Sequence, residues 1–254
     1  MMPRFVDGAR RVVGAVRADG GRRLLCAALA ATVLVVVAEA VLLYGHDELG
    51  PQLDRRLHAY ARHLASEPAL RATASVVSRL TGEGLVVAVV AATLGLVVAR
   101  RRPEAWILVV GTLGSWIASG ILKVAFGFPR PRAQAPWRDF VSYGFPSGHA
   151  FVTLVACGLI AWALGRRAAR PVRIGLVAAA GVIALFGGAA RVILNAHWPS
   201  DVIGGLAFGT AWLSLVVAVA EPTIGAGVLA ADGRTSIEGD RSAEVGGVAE
   251  PLVR

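Results

Sequence analysis

The sequence predicts an all-α fold, a six-span transmembrane helical bundle. Three observations predict it. The chain is 56% hydrophobic and only 17% charged, where a soluble domain is about a quarter charged. Its mean hydropathy is +0.62. Its apolar residues fall into six runs, each close to the roughly 20 residues that cross a bilayer core, and polar or arginine-rich segments separate them.

Residues 1–23 carry Arg4, Arg10, Arg11, Arg17, Arg22 and Arg23 and read as a basic cytoplasmic N-terminus. Leu24–Tyr44 follows as the first span. Ala38-Glu39-Ala40 is a weak cleavage pattern, but the apolar run is longer than a usual signal-peptide core, so an uncleaved span is the better reading. His46–Gly84 is polar. Within it Leu53, Leu57, Tyr60, Ala61 and Leu64 recur at helical spacing, with Arg55, Arg56, Arg62 and His63 mostly on other faces. This predicts an amphipathic helix in the membrane interface or, equally, an ordinary packed loop helix. Residues 24–99 thus form two spans joined by an amphipathic extracytoplasmic loop.

The second span runs from about Leu80 to Ala99 and stops at Arg100-Arg101-Arg102. The third covers Ala105 to about Leu122, after Pro103. A polar segment, Lys123–Gly148, leads to the fourth, Ala150–Leu164, which Arg166, Arg167, Arg170 and Arg173 close. The fifth is about Ile174–Ala190 and the sixth Val202–Ala220. Gly205 and Gly209 in the sixth would permit close helix contact. The tail, 221–254, is rich in Gly, Ala and acidic residues with little periodicity, and reads as disordered and cytoplasmic. Cys26 and Cys157 lie in separate apolar runs and read as small buried side chains.

The net charge is +9, almost all of it arginine, with Lys123 the only lysine. In so apolar a chain this reflects membrane topology, and no nucleic-acid partner is predicted. With six spans, the N-terminus and the Arg100 and Arg166–Arg173 clusters share one side. The positive-inside rule makes it the cytoplasmic side of the inner (plasma) membrane. Segments 45–83, 123–148 and 191–200 then share the extracytoplasmic face. The first of these holds arginines of its own, so the asymmetry is real but not clean.

Three polar clusters meet on that face: Lys123 to Arg130-Pro131, Pro146-Ser147-Gly148-His149, and Arg191 to Asp201. Ionisable groups at the mouth of a span are rare and usually functional. Lys123, Arg130 and Arg191 are three cations, and arginine's planar fork matches phosphate oxygens two at a time. Ser147 and Gly148 just precede a helix, whose N-terminal amides favour an anion. His197 and Asp201 are one turn apart, so the carboxylate can fix the ring tautomer and free the other nitrogen to attack phosphorus. His149 would protonate the leaving oxygen. The reaction implied is phosphoryl transfer through a phosphohistidine, resolved by water, with no metal and no cofactor required. Singly, each feature has a plainer reading: a helix-end histidine, an interfacial arginine anchor, a Pro-Ser-Gly turn. Three clusters in order on one face make the plain reading a poor one.

K-x6-R-P at Lys123–Pro131, P-S-G-H at Pro146–His149 and R-x5-H-x3-D at Arg191–Asp201 resemble the three signature motifs of the phosphatidic acid phosphatase type 2 superfamily. These are integral membrane lipid phosphatases related to soluble vanadium haloperoxidases. The resemblance covers about 100–218 and marks 100–220 as the catalytic core. It implies the six-span bundle of that family and metal-independent hydrolysis at the extracytoplasmic surface. It also implies His197 as nucleophile, Asp201 as its partner and His149 as acid, with Lys123, Arg130, Ser147, Gly148 and Arg191 on the phosphate. One position departs: the third motif usually opens with serine before its arginine, and here that residue is Ala190.

The expected substrate is a lipid phosphate or pyrophosphate monoester, undecaprenyl pyrophosphate first, then phosphatidylglycerol phosphate or phosphatidic acid. The alternatives are a lipid phosphotransferase, or a non-catalytic lipid-phosphate binder or transporter. A binder would need only the cations, whereas His149, His197 and Asp201 are all retained. A soluble haloperoxidase would need no spans.

Overall fold

The computed structural model describes residues 49–131 and 143–246, together with Cys26, Ala30, Thr32 and Val33. Among the described residues every regular element is a helix: α1 Leu49–Leu64, α2 Pro68–Leu80, α3 Glu83–Val98, α4 Arg102–Phe126, α5 Gly148–Gly165, α6 Arg170–Ile193 and α7 Pro199–Gly246. Five stretches are long and apolar enough to cross a membrane: Pro68–Val98, Arg102–Phe126, Gly148–Gly165, Arg170–Ile193 and Pro199–Glu221. The basic N-terminus and most of the predicted first span, Leu24–Tyr44, lie outside the described residues. The four described residues there are helical, and Thr32 donates to the Ala207 carbonyl of α7 at 3.0 Å.

The side chains are sorted as a bilayer requires. Large apolar groups such as Val86, Leu94, Trp106, Leu113, Ile121, Val177 and Phe186 are exposed. Small ones line the contacts between helices, among them Ser115 and Ser119 on α4 and Ala180 and Ala184 on α6. Where lipid is as apolar as leucine, close packing of small residues holds helices together. α5 is the central helix, with Ala150, Phe151, Val155, Ala156 and Leu159 fully enclosed. The Gly205/Gly209 pair lets α7 lie on α5: a Cβ on Gly205 would come 2.6 Å from the Ser147 carbonyl, and one on Gly209 3.1 Å from that of Phe151.

Polar ties mark the arginine end of the bundle. Glu104, buried in the first turn of α4, accepts from Arg101 at 3.0 and 3.2 Å. Arg101 also donates to the Ala163 carbonyl at the end of α5. Trp162 and Arg166 both donate to Glu221 of α7. The opposite end gathers α1, the close of α2, and the segments 127–131, 143–147 and 194–198, which are the polar segments that span counting assigned to one face.

Two elements, α2 and α7, differ from the expectation, while α1 is the expected helix. The second span is preceded by a helix of its own, α2, joined to α3 through a bend at Thr81-Gly82; Pro68 sits at its first turn, where no N–H is needed. α1 turns Leu53, Leu57 and Tyr60 outward while His58 and Ala61 are buried. α7 continues helically to Gly246, so the tail expected to be disordered is helical that far; Ala226, Leu229, Ala230 and Ala231 are strong helix formers. Residues 247–254 lie outside the described residues. Cys26 and Cys157 are free thiols, and Cys26 is exposed, not buried.

Candidate active site

The turn between α6 and α7 is built by local rules. α6 ends at Ile193, and Asn195 takes the left-handed conformation (φ 58°), which asparagine tolerates well. Pro199 then opens α7. Asp201, two residues on, reaches back so that its Oδ2 accepts the Trp198 backbone N–H at 3.0 Å, as an acidic residue in the first turn of a helix does. The same oxygen lies 3.0 Å from His197 Nδ1. Both side chains are about 2% exposed. An ionised carboxylate only accepts, so Nδ1 carries the ring proton and Nε2 is left with its lone pair.

Gly144 closes the other side of this carboxylate. A Cβ there would fall 2.6 Å from Asp201 Oδ2, so only glycine fits. The Ser147 N–H donates to the Asp201 carbonyl at 2.8 Å, which fixes the start of α5 against the start of α7. The second and third clusters are thus joined through backbone.

The first cluster arrives from α4. Gly127 ends that helix at φ 65°, the left-handed close that glycine adopts freely. The Gly144 N–H donates to Phe128 O at 2.7 Å, and Pro129 pairs with Tyr143. Lys123 does something its spacing did not predict. Its ammonium donates to the carbonyls of Gly144 (2.8 Å), Pro146 (2.7 Å) and Tyr143 (3.4 Å). An ammonium has three protons, so in this structure Lys123 holds the 143–146 loop while its charge stays near the site. Arg130 Nε also donates to Tyr143 O.

The eight predicted residues therefore converge. Burial first, then the charges of Arg130, Lys123 and Arg191, hold the His197 imidazole well below the ordinary histidine range; an interaction with the Gly144 backbone acts the other way. His149 interacts electrostatically with the same three cations and with His197. Ser147 Oγ and Arg191 Nε are buried without a hydrogen-bond partner in the protein. Unpaired buried polar atoms are rare, and a bound anion would satisfy both. Among the described residues no three of His, Cys, Asp or Glu gather in a way that would hold a metal ion.

Residues 104–223 match the family model described as PAP2 superfamily. Over that stretch the chain is similar to the PAP2 superfamily. Two lipid A 1-phosphatases are similar over 114 residues, from Rhizobium johnstonii at 37% identity and from Rhizobium etli at 35%. Each match covers 41% of this chain, and 43% and 45% of those proteins, so the chain matches less than half the length of either relative. The crystal structure of a transmembrane PAP2 type phosphatidylglycerolphosphate phosphatase from Bacillus subtilis has the same fold. Its TM-score is 0.63 at 24% identity, covering 75% of this chain and 96% of that one.

The PAP2 match begins at residue 104, yet helices before it also build the site. Asp54 of α1 accepts both the N–H and the hydroxyl of Ser200 at 3.0 Å. A carboxylate from a remote helix thereby caps the N-terminus of α7, next to Asp201. His58, one turn on, lies against Trp198 with ring centroids 4.6 Å apart. Ser78 of α2 accepts from Arg191 Nη1 at 3.1 Å. A Cβ on Gly82 would lie 3.2 Å from His149 Nε2. No motif signals these residues. The one clue was that Asp54 and His58 are spaced to share a face of the amphipathic helix.

Proposed function

We propose that this protein is a membrane lipid phosphatase of the PAP2 superfamily. It hydrolyses a phosphate or pyrophosphate monoester on a lipid, at the extracytoplasmic face of the plasma membrane, through a phosphohistidine at His197. The observation that carries the reading is the buried His197–Asp201 pair, 3.0 Å apart, facing three cations and the N-terminus of α5. A binder would need the cations alone. The pair costs burial of a carboxylate and supplies an oriented nucleophile.

In the first step Nε2 attacks the terminal phosphorus, the bond from it to the leaving oxygen of the lipid alcohol or lipid phosphate breaks, and His149 gives that oxygen a proton. Asp201 stabilises the positive charge developing on the His197 ring. In the second step water attacks the phosphohistidine, its proton passes to His149, and the N–P bond breaks to release inorganic phosphate. Arg130 and Arg191, with the Gly148 amide and the Ser147 hydroxyl, hold the phosphoryl oxygens. This is electrostatic stabilisation by groups already in place.

The surroundings of the site support a lipid substrate. α1, which meets the site through Asp54 and His58, turns Leu53, Leu57 and Tyr60 outward, and this apolar surface supports a lipid that enters sideways from the outer leaflet. The test is phosphate release by purified protein in detergent from four lipids: undecaprenyl pyrophosphate, phosphatidylglycerol phosphate, lipid A and phosphatidic acid. Release from at least one, undiminished by EDTA, is expected. No release from any, or loss in EDTA restored by a divalent metal, would overturn the proposal.

The low pKa of His197 sets a pH dependence. A protonated imidazole cannot attack, and its depressed pKa keeps it neutral below the ordinary value of about 6.5. Arg130→Gln removes one of the charges responsible, so the His197 pKa rises. The acid limb of kcat/KM, corrected for substrate ionisation, should then move to higher pH. A limb that stays in place would show that the charge of Arg130 does not reach the nucleophile.

A further inference from the structure

Ser78 lies 113 residues from its partner Arg191 and belongs to none of the three motifs. It is buried, about 8% exposed, in the last turn of α2. Three contacts fix that turn. Thr153 of α5 donates to Thr81 O at 3.2 Å. Thr81 packs on Gly187 of α6, where a Cβ would come 2.9 Å from its methyl. Gly82 allows the bend to meet His149, for a Cβ there would lie 3.1 Å from Ser78 O and 3.2 Å from His149 Nε2. The turn that carries Ser78 is therefore held against α5 and α6, with the Ser78 hydroxyl on Arg191 and Gly82 beside the candidate acid.

The bond from Arg191 uses Ser78 as acceptor and leaves its own O–H to be donated. The residue before Arg191 is Ala190, buried and without a hydroxyl. We propose that Ser78 is a ninth residue of the site: it orients Arg191 and donates its hydroxyl to a phosphoryl oxygen, so that α2 supplies the group position 190 lacks. This rests on the lipid phosphatase reading. It would make α2, outside the PAP2 match, part of phosphate recognition.

The experiment compares wild type, Ser78→Ala, Ser78→Thr, Ala190→Ser and the double variant Ser78→Ala/Ala190→Ser in detergent, with His197→Ala as the inactive control. Two readouts are taken: kcat and KM on the best lipid substrate, and the Kd of inorganic phosphate from thermal shift. A lost hydrogen bond to a charged group predicts a fall of about 10- to 100-fold in kcat/KM for Ser78→Ala. Phosphate binding should weaken about tenfold. Ser78→Thr, which keeps the hydroxyl, should stay near wild type, and the double variant should recover much of the loss. A purely structural serine would not be rescued by a hydroxyl on another helix.

Ser78→Ala within twofold of wild type on both readouts would overturn the proposal, as would a loss that neither Ser78→Thr nor the added Ala190→Ser relieves. Should Ser78→Ala fail to fold, Ser78→Thr and Ala190→Ser decide: Ala190→Ser is expected to leave a site already served by Ser78 within about threefold of wild type. Wild type inactive on every lipid would overturn the phosphatase reading instead, and the phosphate Kd would still decide the role of Ser78.

Discussion

His197→Ala is expected to abolish phosphate release, by about 10⁴-fold or more, while the protein still inserts and purifies as wild type does. The alanine removes the only nitrogen that Asp201 orients toward phosphorus, and a missing nucleophile leaves only binding and charge stabilisation to act. Stability should fall little. The imidazole is buried and has two polar ties, to Asp201 and to the Gly144 backbone, and Asp201 keeps the bond from the Trp198 N–H when the ring is removed. The measurement is single-turnover phosphate release beside gel filtration in detergent, with acid-labile phosphate trapped on wild type as a second readout. Turnover near wild type in the variant would sink the nucleophile assignment. Phosphate trapped on the variant would move the covalent step to another residue.

The second large effect is expected from Asp201→Asn, a fall of about 10³–10⁴-fold in kcat. The substitution preserves size against Gly144, where there is no room for anything larger. An asparagine amide has two ways to sit. With its oxygen toward His197 it keeps both hydrogen bonds but loses the negative charge that stabilises the positive ring in the transition state. With its NH₂ toward Nδ1 it forces the proton onto Nε2 and blocks the attacking lone pair. Either arrangement slows chemistry with little change in KM. Asp201→Ala should slow it as much and also lose the cap on Trp198, about 1 kcal/mol of stability by the cost of an N-cap. Comparing thermal midpoints of the two variants therefore separates catalysis from capping. An Asp201→Asn enzyme within tenfold of wild type would show that Asp201 only shapes the turn.

Much of this molecule was legible in the chain itself. Spans could be read because a bilayer demands about 20 apolar residues regardless of neighbours, and five of the expected six correspond to described helices. Within the site, Asp201 could be linked to His197 because four residues make one helical turn, and Ser147-Gly148 could be placed at a helix start because an apolar run follows. The closeness of α7 to α5 was foreshadowed by Gly205 and Gly209, since absent side chains are visible in a sequence. Each of these inferences uses only local geometry or the properties of the solvent.

What was not legible has an equally physical cause. α2 was taken as part of a polar loop, because Glu67, Arg71, Ser75, Ser78 and Arg79 set it apart from the apolar run that follows. The carbonyls that Lys123 holds could not be foreseen, because they sit 20 to 23 residues away in a loop whose path no local rule sets.

What the sequence by itself determined was the number and order of the described spans, that the polar clusters gather at one end of the bundle, and the eight residues that would meet there. What only the tertiary structure decided was who stands behind them. Asp54 reaches Ser200 across 146 residues and Ser78 reaches Arg191 across 113. Bonds of that separation leave no periodicity, spacing or composition in the chain. They exist because packing sets α1 against α7 and α2 against α6, and that packing is a property of the folded bundle alone.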